Sequence, residues 1–148
     1  HNTQRVVRAL EVCLGSGKTM TSFLNNTSTE RDFDILQVGL EMPRAELHDR
    51  IAMRTQSMID AGWIAETEKL ISFSQYNSLR TVGYNELFAY LKEECSLGEA
   101  QEKIVIKTRQ FAKRQMTWFK KDERVVWFES KNENEALEYC LEFASKYE

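Results

Sequence analysis

From Ser96 to Lys121 the chain carries one long amphipathic pattern, and the rest of the sequence must fold around it. Ser96 followed three residues later by Glu99 has the spacing of a capping box, in which hydroxyl and carboxylate each accept from a free backbone N–H. Leu97, Ala100, Ile104, Phe111, Ala112 and Phe119 then recur on one face of a 3.6-residue repeat, which predicts a buried seam. Lys103, Lys107, Arg109, Lys113, Arg114, Lys120 and Lys121 occupy the remaining half of the circumference. That half is expected to face solvent or a polyanion. Thr108 and Gln115 point into the centre of the apolar face, where a buried amide needs hydrogen-bond partners. They either contact neighbouring backbone or line a substrate channel.

Charge bears on the basic half of this helix. The whole chain of 148 residues has a formal net charge of -3, yet from Lys103 to Arg124 there are eight Lys or Arg against Asp122 and Glu123. The remainder holds 12 basic and 21 acidic residues, a net of -9, so the basic island is local. An island of this kind points to a phosphate-bearing partner, although a solvated helix face has the same composition. With 42% hydrophobic and 29% charged residues the chain fits a single globular unit, 1–148. Cys13, Cys95 and Cys140 are odd in number and widely spaced, which reads as reduced cytosolic thiols and no zinc site. No apolar run has the length of a membrane span, and no signal peptide is visible. His1 rather than Met begins the chain, as expected of a piece of something longer.

The remaining segments alternate between helices and short strands. Thr3 or Asn2 caps a first helix with Val6, Ala9, Leu10, Cys13 and Leu14 on one face and Gly15 as its stop. Gly15 to Thr19 resembles the end of a phosphate-binding P-loop but fails as one. Val12 stands where the earlier glycine is needed, and the segment follows a helix instead of a strand. Residues 20–32, rich in Thr, Ser and Asn, read as an exposed loop. Phe33 to Met42 reads as a strand, and Pro43 suits the first turn of a helix from Arg44 to Ala61. In that helix Leu47, Ile51, Met58 and Ala61 form the apolar stripe, and Arg54 falls in its middle. A guanidinium there needs a carboxylate or a phosphate opposite it. Arg50 lies at the stripe's edge.

Gly62 ends this helix, Trp63 to Ile71 forms a short one, and a polar loop from Ser72 to Ser78 delivers Arg80. Gly83 and Tyr84 open a further helix with Tyr84, Leu87, Phe88 and Leu91 at helical spacing, which makes Tyr84 a core residue by periodicity. Val125 to Phe128 is a second strand, and a final helix capped near Asn132 carries Leu137, Cys140, Leu141 and Ala144. The two strands lie about 80 residues apart without a hairpin turn. Alone they are expected to make a poor sheet, so they should join strands from elsewhere in a larger protein.

Several of these residues also carry a resemblance. Arg5 to Val12 followed by Ser16 to Thr19, Pro43-Arg44, Arg50-Ile-Ala-Met-Arg54, Gly62, Val82-Gly83-Tyr84-x-Glu86-Leu87 and Thr108 to Phe119 occur in one order over nearly the whole chain. In that order they resemble the carboxy-terminal half of bacterial tRNA dimethylallyltransferases. The resemblance implies an α/β, predominantly helical piece, with several α-helices and two short strands belonging to a P-loop-type parallel sheet whose remainder is missing. It implies transfer of a dimethylallyl group from dimethylallyl diphosphate to the exocyclic amine of the adenosine 3′-adjacent to the tRNA anticodon, with Mg2+, in the cytoplasm, by an enzyme favoured to be a monomer.

Base extraction from the anticodon loop is what chemistry on a stacked base requires. By the resemblance Arg54 contributes to the reacting centre, stabilising the leaving diphosphate. Lys107, Thr108, Arg109, Gln110, Lys113, Arg114 and Gln115, with Arg80 nearby, would meet the anticodon stem-loop. The P-loop that holds the diphosphate and the aspartate that acts as base belong to the amino-terminal half, so this piece is expected to be inactive alone. Two other readings of the basic face stay open: a non-catalytic helical RNA-binding module, and a docking surface for an acidic protein.

Overall fold

The computed structural model describes residues 2–24 and 32–147, which fall into two units, 1–35 and 36–148. The first unit holds helices α1 (Thr3–Ser16) and α2 (Met20–Phe23). Asn2 caps α1, its side chain accepting from the Arg5 N–H at 3.3 Å. Gly15 is not the stop. The helix runs on to Ser16, whose hydroxyl donates back to the Val12 carbonyl at 2.6 Å. The chain reverses at Gly17, where φ is +67° and the N–H donates to the Cys13 carbonyl. A left-handed residue costs glycine little, which is why the break falls there. The GSGKT segment therefore ends a helix. Met20–Phe23 forms a helical turn within the expected loop, whose residues 25–31 lie outside the described residues.

In the second unit β1 (Gln37–Glu41) and β2 (Val125–Glu129) pair in parallel, from Gln37 opposite Val125 to Glu41 opposite Glu129. The expectation that these strands pair poorly is thus corrected. A parallel pair needs a crossover rather than a hairpin, and the helices between them supply it. Gly39 makes room for the pairing, since a Cβ there would stand 2.6 Å from the Trp127 ring. The Ser130 N–H extends the ladder, donating to the Glu41 carbonyl at 2.7 Å.

The crossover runs through α3 (Arg44–Asp60), α4 (Trp63–Lys69), two 3-10 turns (Ile71–Phe73 and Asn77–Leu79), α5 (Tyr84–Leu91) and α6 (Leu97–Phe119). Helix α7 (Glu133–Ala144) follows β2. Trp63, Leu87 and Ile104 form the buried centre, with Met58, Ile59, Ile64, Tyr84 and Leu97 packed around it. Two tight spots set the geometry. Gly62 takes φ +100° between α3 and α4, and Gly83 takes φ +104° with its α-carbon against the indole of Trp63. Tyr84 meets Trp63 edge-on at 6.0 Å, and its hydroxyl donates to Glu66 at 2.5 Å. It is half-buried and belongs to the core's rim.

Helix α6 starts as its sequence predicts. The Ser96 N–H donates to Glu99 Oε2 at 2.8 Å, and the Glu99 N–H donates to Ser96 Oγ at 3.3 Å. The Ser96 N–H, and with it the Ser96 hydroxyl donating to the same Oε2 at 2.9 Å, lower the Glu99 pKa. Only Ala100 and Ile104 are buried along the helix, followed by half-buried Thr108, Ala112 and Met116 at the same spacing of four. Phe111 (56% exposed) and Phe119 (39%) are not core residues. The seam follows the row that faces α3, and the two phenylalanines fall on the walls of grooves beside it.

Candidate functional site: a cleft between two helices

A cleft of about 840 Å³ opens between α3 and α6. Its walls are largely apolar, with Met42, Leu47, Ile51, Met58, Trp63, Val82, Ile104, Phe111 and Ala112. Its polar groups are Arg50, Arg54 and Thr55 from α3, Thr81 from the loop before α5, and Thr108 and Gln115 from α6. A mainly apolar cavity with a few convergent polar groups is the usual form of a small-molecule or base pocket.

The two helices present these groups for different local reasons. On α3 the buried positions are Ile51 and Thr55, four apart, and the Thr55 hydroxyl is satisfied by donating to the Ile51 carbonyl at 2.8 Å. The expected stripe holds in part: Ile51 is buried, Leu47 and Met58 are half-buried, and all three line the cleft. Arg54 lies among them but is exposed on the cleft wall, and Ala61 is exposed as well. Among the described residues Arg54 has no ion pair, so the expected structural carboxylate does not face it. On α6 the Thr108 hydroxyl donates to the Ile104 carbonyl at 2.8 Å, leaving an acceptor lone pair for the cleft. Gln115 is exposed on the cleft wall and is not a buried amide.

The remaining residues of the basic motif separate around the helix. Lys107 is drawn to the opposite side, where Nζ lies 2.6 Å from Oε1 of Glu86. Glu86 is 4% exposed, and its Oε2 accepts from the Gly83 N–H at 2.7 Å. Arg109 and Lys113 line a second groove that adjoins the cleft. Gln110 is exposed, and Arg114 is exposed with its guanidinium 6.0 Å from the centre of the Phe111 ring. Arg80 is exposed at the end of the second 3-10 turn and does not line the cleft, although its neighbours Thr81 and Val82 do.

Several participants were not singled out by periodicity. Thr55, Trp63, Thr81 and Val82 line the cleft, and Glu86 fixes the start of α5 and binds Lys107. Besides its place in the Val82-Gly83-Tyr84-x-Glu86-Leu87 motif, Glu86 is signalled by its position three residues after Gly83, the spacing of a helix-start acceptor. Its pairing with Lys107, 21 residues later, is a tertiary fact. Beyond the cleft, Tyr84 has a raised pKa because its hydroxyl donates to Glu66 and is partly buried. Asp122 is lowered to about 2, chiefly by side-chain and backbone hydrogen bonds from Arg124.

Comparison with known proteins adds an independent line. The family model described as IPP transferase matches residues 1–122. A tRNA dimethylallyltransferase 1 of Bacteroides thetaiotaomicron is 47% identical over 138 residues, 93% of this chain and 45% of that protein. A tRNA dimethylallyltransferase of Flavobacterium psychrophilum is 46% identical over 130 residues, 88% of this chain and 42% of its own length. The chain thus spans about half the length of the curated relatives it matches. Among solved structures, the tRNA delta(2)-isopentenylpyrophosphate transferase of Staphylococcus epidermidis is similar, with a TM-score of 0.66 and 34% identity. That likeness covers 88% of this chain and 44% of the other. The full-length tRNA isopentenylpyrophosphate transferase of Bacillus halodurans gives 0.63 and 33%, covering 86% of this chain and 39% of its own.

Proposed function

This chain belongs to the IPP transferase family, and on that premise we propose that it is the tRNA-gripping portion of a tRNA dimethylallyltransferase and supplies one cation to the reaction. The observation that carries this reading is the cleft. It joins Arg54 on α3, without an ion pair among the described residues, to Thr108 and Gln115 on the basic helix, across an apolar space of the kind a base enters. The substrates are the anticodon stem-loop of a tRNA and dimethylallyl diphosphate.

In the reaction the exocyclic nitrogen of the adenosine 3′-adjacent to the anticodon forms a bond to the first carbon of the dimethylallyl group. The carbon–oxygen bond to diphosphate breaks, its electron pair leaves with the diphosphate, and the nitrogen gives up a proton to a base. Arg54 meets the charge that grows on the departing diphosphate, where a fixed cation has most effect. Thr108 and Gln115 contact the base or its sugar, while Arg109, Gln110, Lys113, Arg114 and, from its loop, Arg80 meet the stem-loop. The P-loop and the general base implied by the resemblance belong to the amino-terminal half of the relatives, so this 148-residue chain does not turn over alone. Incubation with tRNA and labelled dimethylallyl diphosphate should leave the RNA unlabelled, and labelled RNA would overturn this point.

Magnesium, which the same resemblance implies, finds no group of three or more His, Cys, Asp or Glu among the described residues that could hold it. No described helix is long and apolar enough to cross a membrane. By the same resemblance the complete enzyme is assigned to the cytoplasm.

Arg54→Ala separates this reading from that of a non-catalytic RNA-binding module. In a chain extended to the length of its relatives, turnover should fall by roughly 100- to 1000-fold while stem-loop affinity changes less than about threefold. Equal losses in both would favour the binding module. Binding of a stem-loop that is insensitive to salt would instead favour the acidic-protein docking surface.

A further inference from the structure

Resting on the RNA reading above, we propose that the groove beside the cleft is a seat for one backbone phosphate of the RNA, built from Arg44 and His48 on α3 and Arg109 and Lys113 on α6. The groove has a volume of about 350 Å³ and shares Met42, Leu47 and Ala112 with the cleft. Its other charged residues, Glu41 and Lys120, are committed to each other at 2.5 Å. That leaves Arg44, Arg109 and Lys113 with no ion pair among the described residues.

His48 acts as a bracket for the two guanidinium groups. Arg44 Nε donates to His48 Nε2 at 3.5 Å, and Arg109 Nη2 donates to the His48 carbonyl at 3.5 Å. These contacts occupy one edge of Arg44 and leave its terminal nitrogens for the fork that suits a phosphate. Arg109 is half-buried, and its Nε is buried without a partner among the described residues. Like charges gathered around one histidine, with an unsatisfied N–H, are unfavourable until an anion joins them.

Position selects the kind of anion. A nucleotide separates base from phosphate by one sugar, and the groove and cleft have adjoining walls. A phosphate in the groove can therefore belong to a nucleotide whose base occupies the cleft, which helps hold an extruded base out of its stack. Arg44 becomes an RNA-contacting residue, positioned by His48, in a helix that otherwise contributes Arg54 to the leaving group.

The test measures binding of a synthetic anticodon stem-loop to the 148-residue chain over a range of salt concentrations. Arg44→Gln should weaken binding about tenfold at low salt and flatten the log–log salt slope by about 1, with an unchanged melting curve. Lys113→Gln should do the same. The double variant should lose less than the product of the two single losses, because both hold one phosphate. An Arg44→Gln slope equal to wild type, or strictly multiplicative losses, overturns the seat while leaving the RNA reading intact. No salt-sensitive binding by wild type overturns both. If inorganic pyrophosphate binds at Arg44 and stem-loop affinity ignores the substitution, the groove is a diphosphate site and the proposal is wrong.

Discussion

Glu86 and Lys107 illustrate how a single residue's role depends on what lies across from it. The carboxylate is 4% exposed, accepts from the N–H of Gly83, which caps α5, and meets Lys107 at 2.6 Å, while the lysine side chain is 51% exposed. Lys107 thus neutralises a buried charge, although by the resemblance it reads, with its sequence neighbours, as an RNA contact. Lys107→Gln should lower stability by about 1–2 kcal/mol, because it leaves that carboxylate without its cation and solvent screens only the exposed end. Stem-loop affinity should change little. Lys113→Gln should show the reverse, loss of affinity with an unchanged melt. Thermal unfolding and stem-loop titration on the two variants check both expectations together. The basic motif read as a unit did not separate these lysines; Glu86 on α5, opposite Lys107 alone, does.

At the scale of elements, the helix starts and stops were the most legible part of the fold because their causes are local. Ser96 with Glu99, Asn2 and Gly62 all act where their spacing predicts. The faces were less legible. The stripe of α3 borders the cleft, so Arg54 in its middle is exposed on the cleft wall, and Thr55 is buried beside it because its hydroxyl is satisfied on the preceding turn. Phe111 and Phe119 have the right period for a core, yet border grooves. The start of α5 is the element most open to a decisive substitution. An added Cβ at Gly83 would stand 2.3 Å from the Trp63 ring, and φ is +104°. Gly83→Ala should therefore cost about 2–5 kcal/mol, combining backbone strain with overpacking. It should also displace Thr81 and Val82 from the cleft. Chemical denaturation measures the first effect, and stem-loop binding by the refolded variant the second. A wild-type midpoint would refute the close packing of α4 against α5.

Across the whole molecule, the least legible feature was the pairing of β1 with β2. It closes a long crossover, and no local signal announces it. The chain enters β2 through a turn clamped by Asp122, whose carboxylate accepts from Arg124 Nε at 2.8 Å and Nη2 at 2.7 Å. The Asp122 carbonyl accepts from the Val125 N–H at 3.3 Å, so the clamp sits where the strand begins. Its folded pKa is about 2, below the ordinary 3.8. Between these values the unfolded chain binds more protons than the folded one, so this contribution is fully present above about pH 4 and is lost as pH falls through about 2. Glu99, lowered by its hydrogen bonds to Ser96, has the same sign. Asp122→Asn cannot titrate there. Wild type should lose stability more steeply than the variant between about pH 4 and pH 2, and the two denaturation midpoints should converge as the pH drops. The measurement is a series of urea titrations across that window, followed by the indole fluorescence of the chain, which includes Trp127 on β2. Parallel pH profiles for the two proteins would mean that the Asp122–Arg124 fork does not hold the entry to β2 in solution.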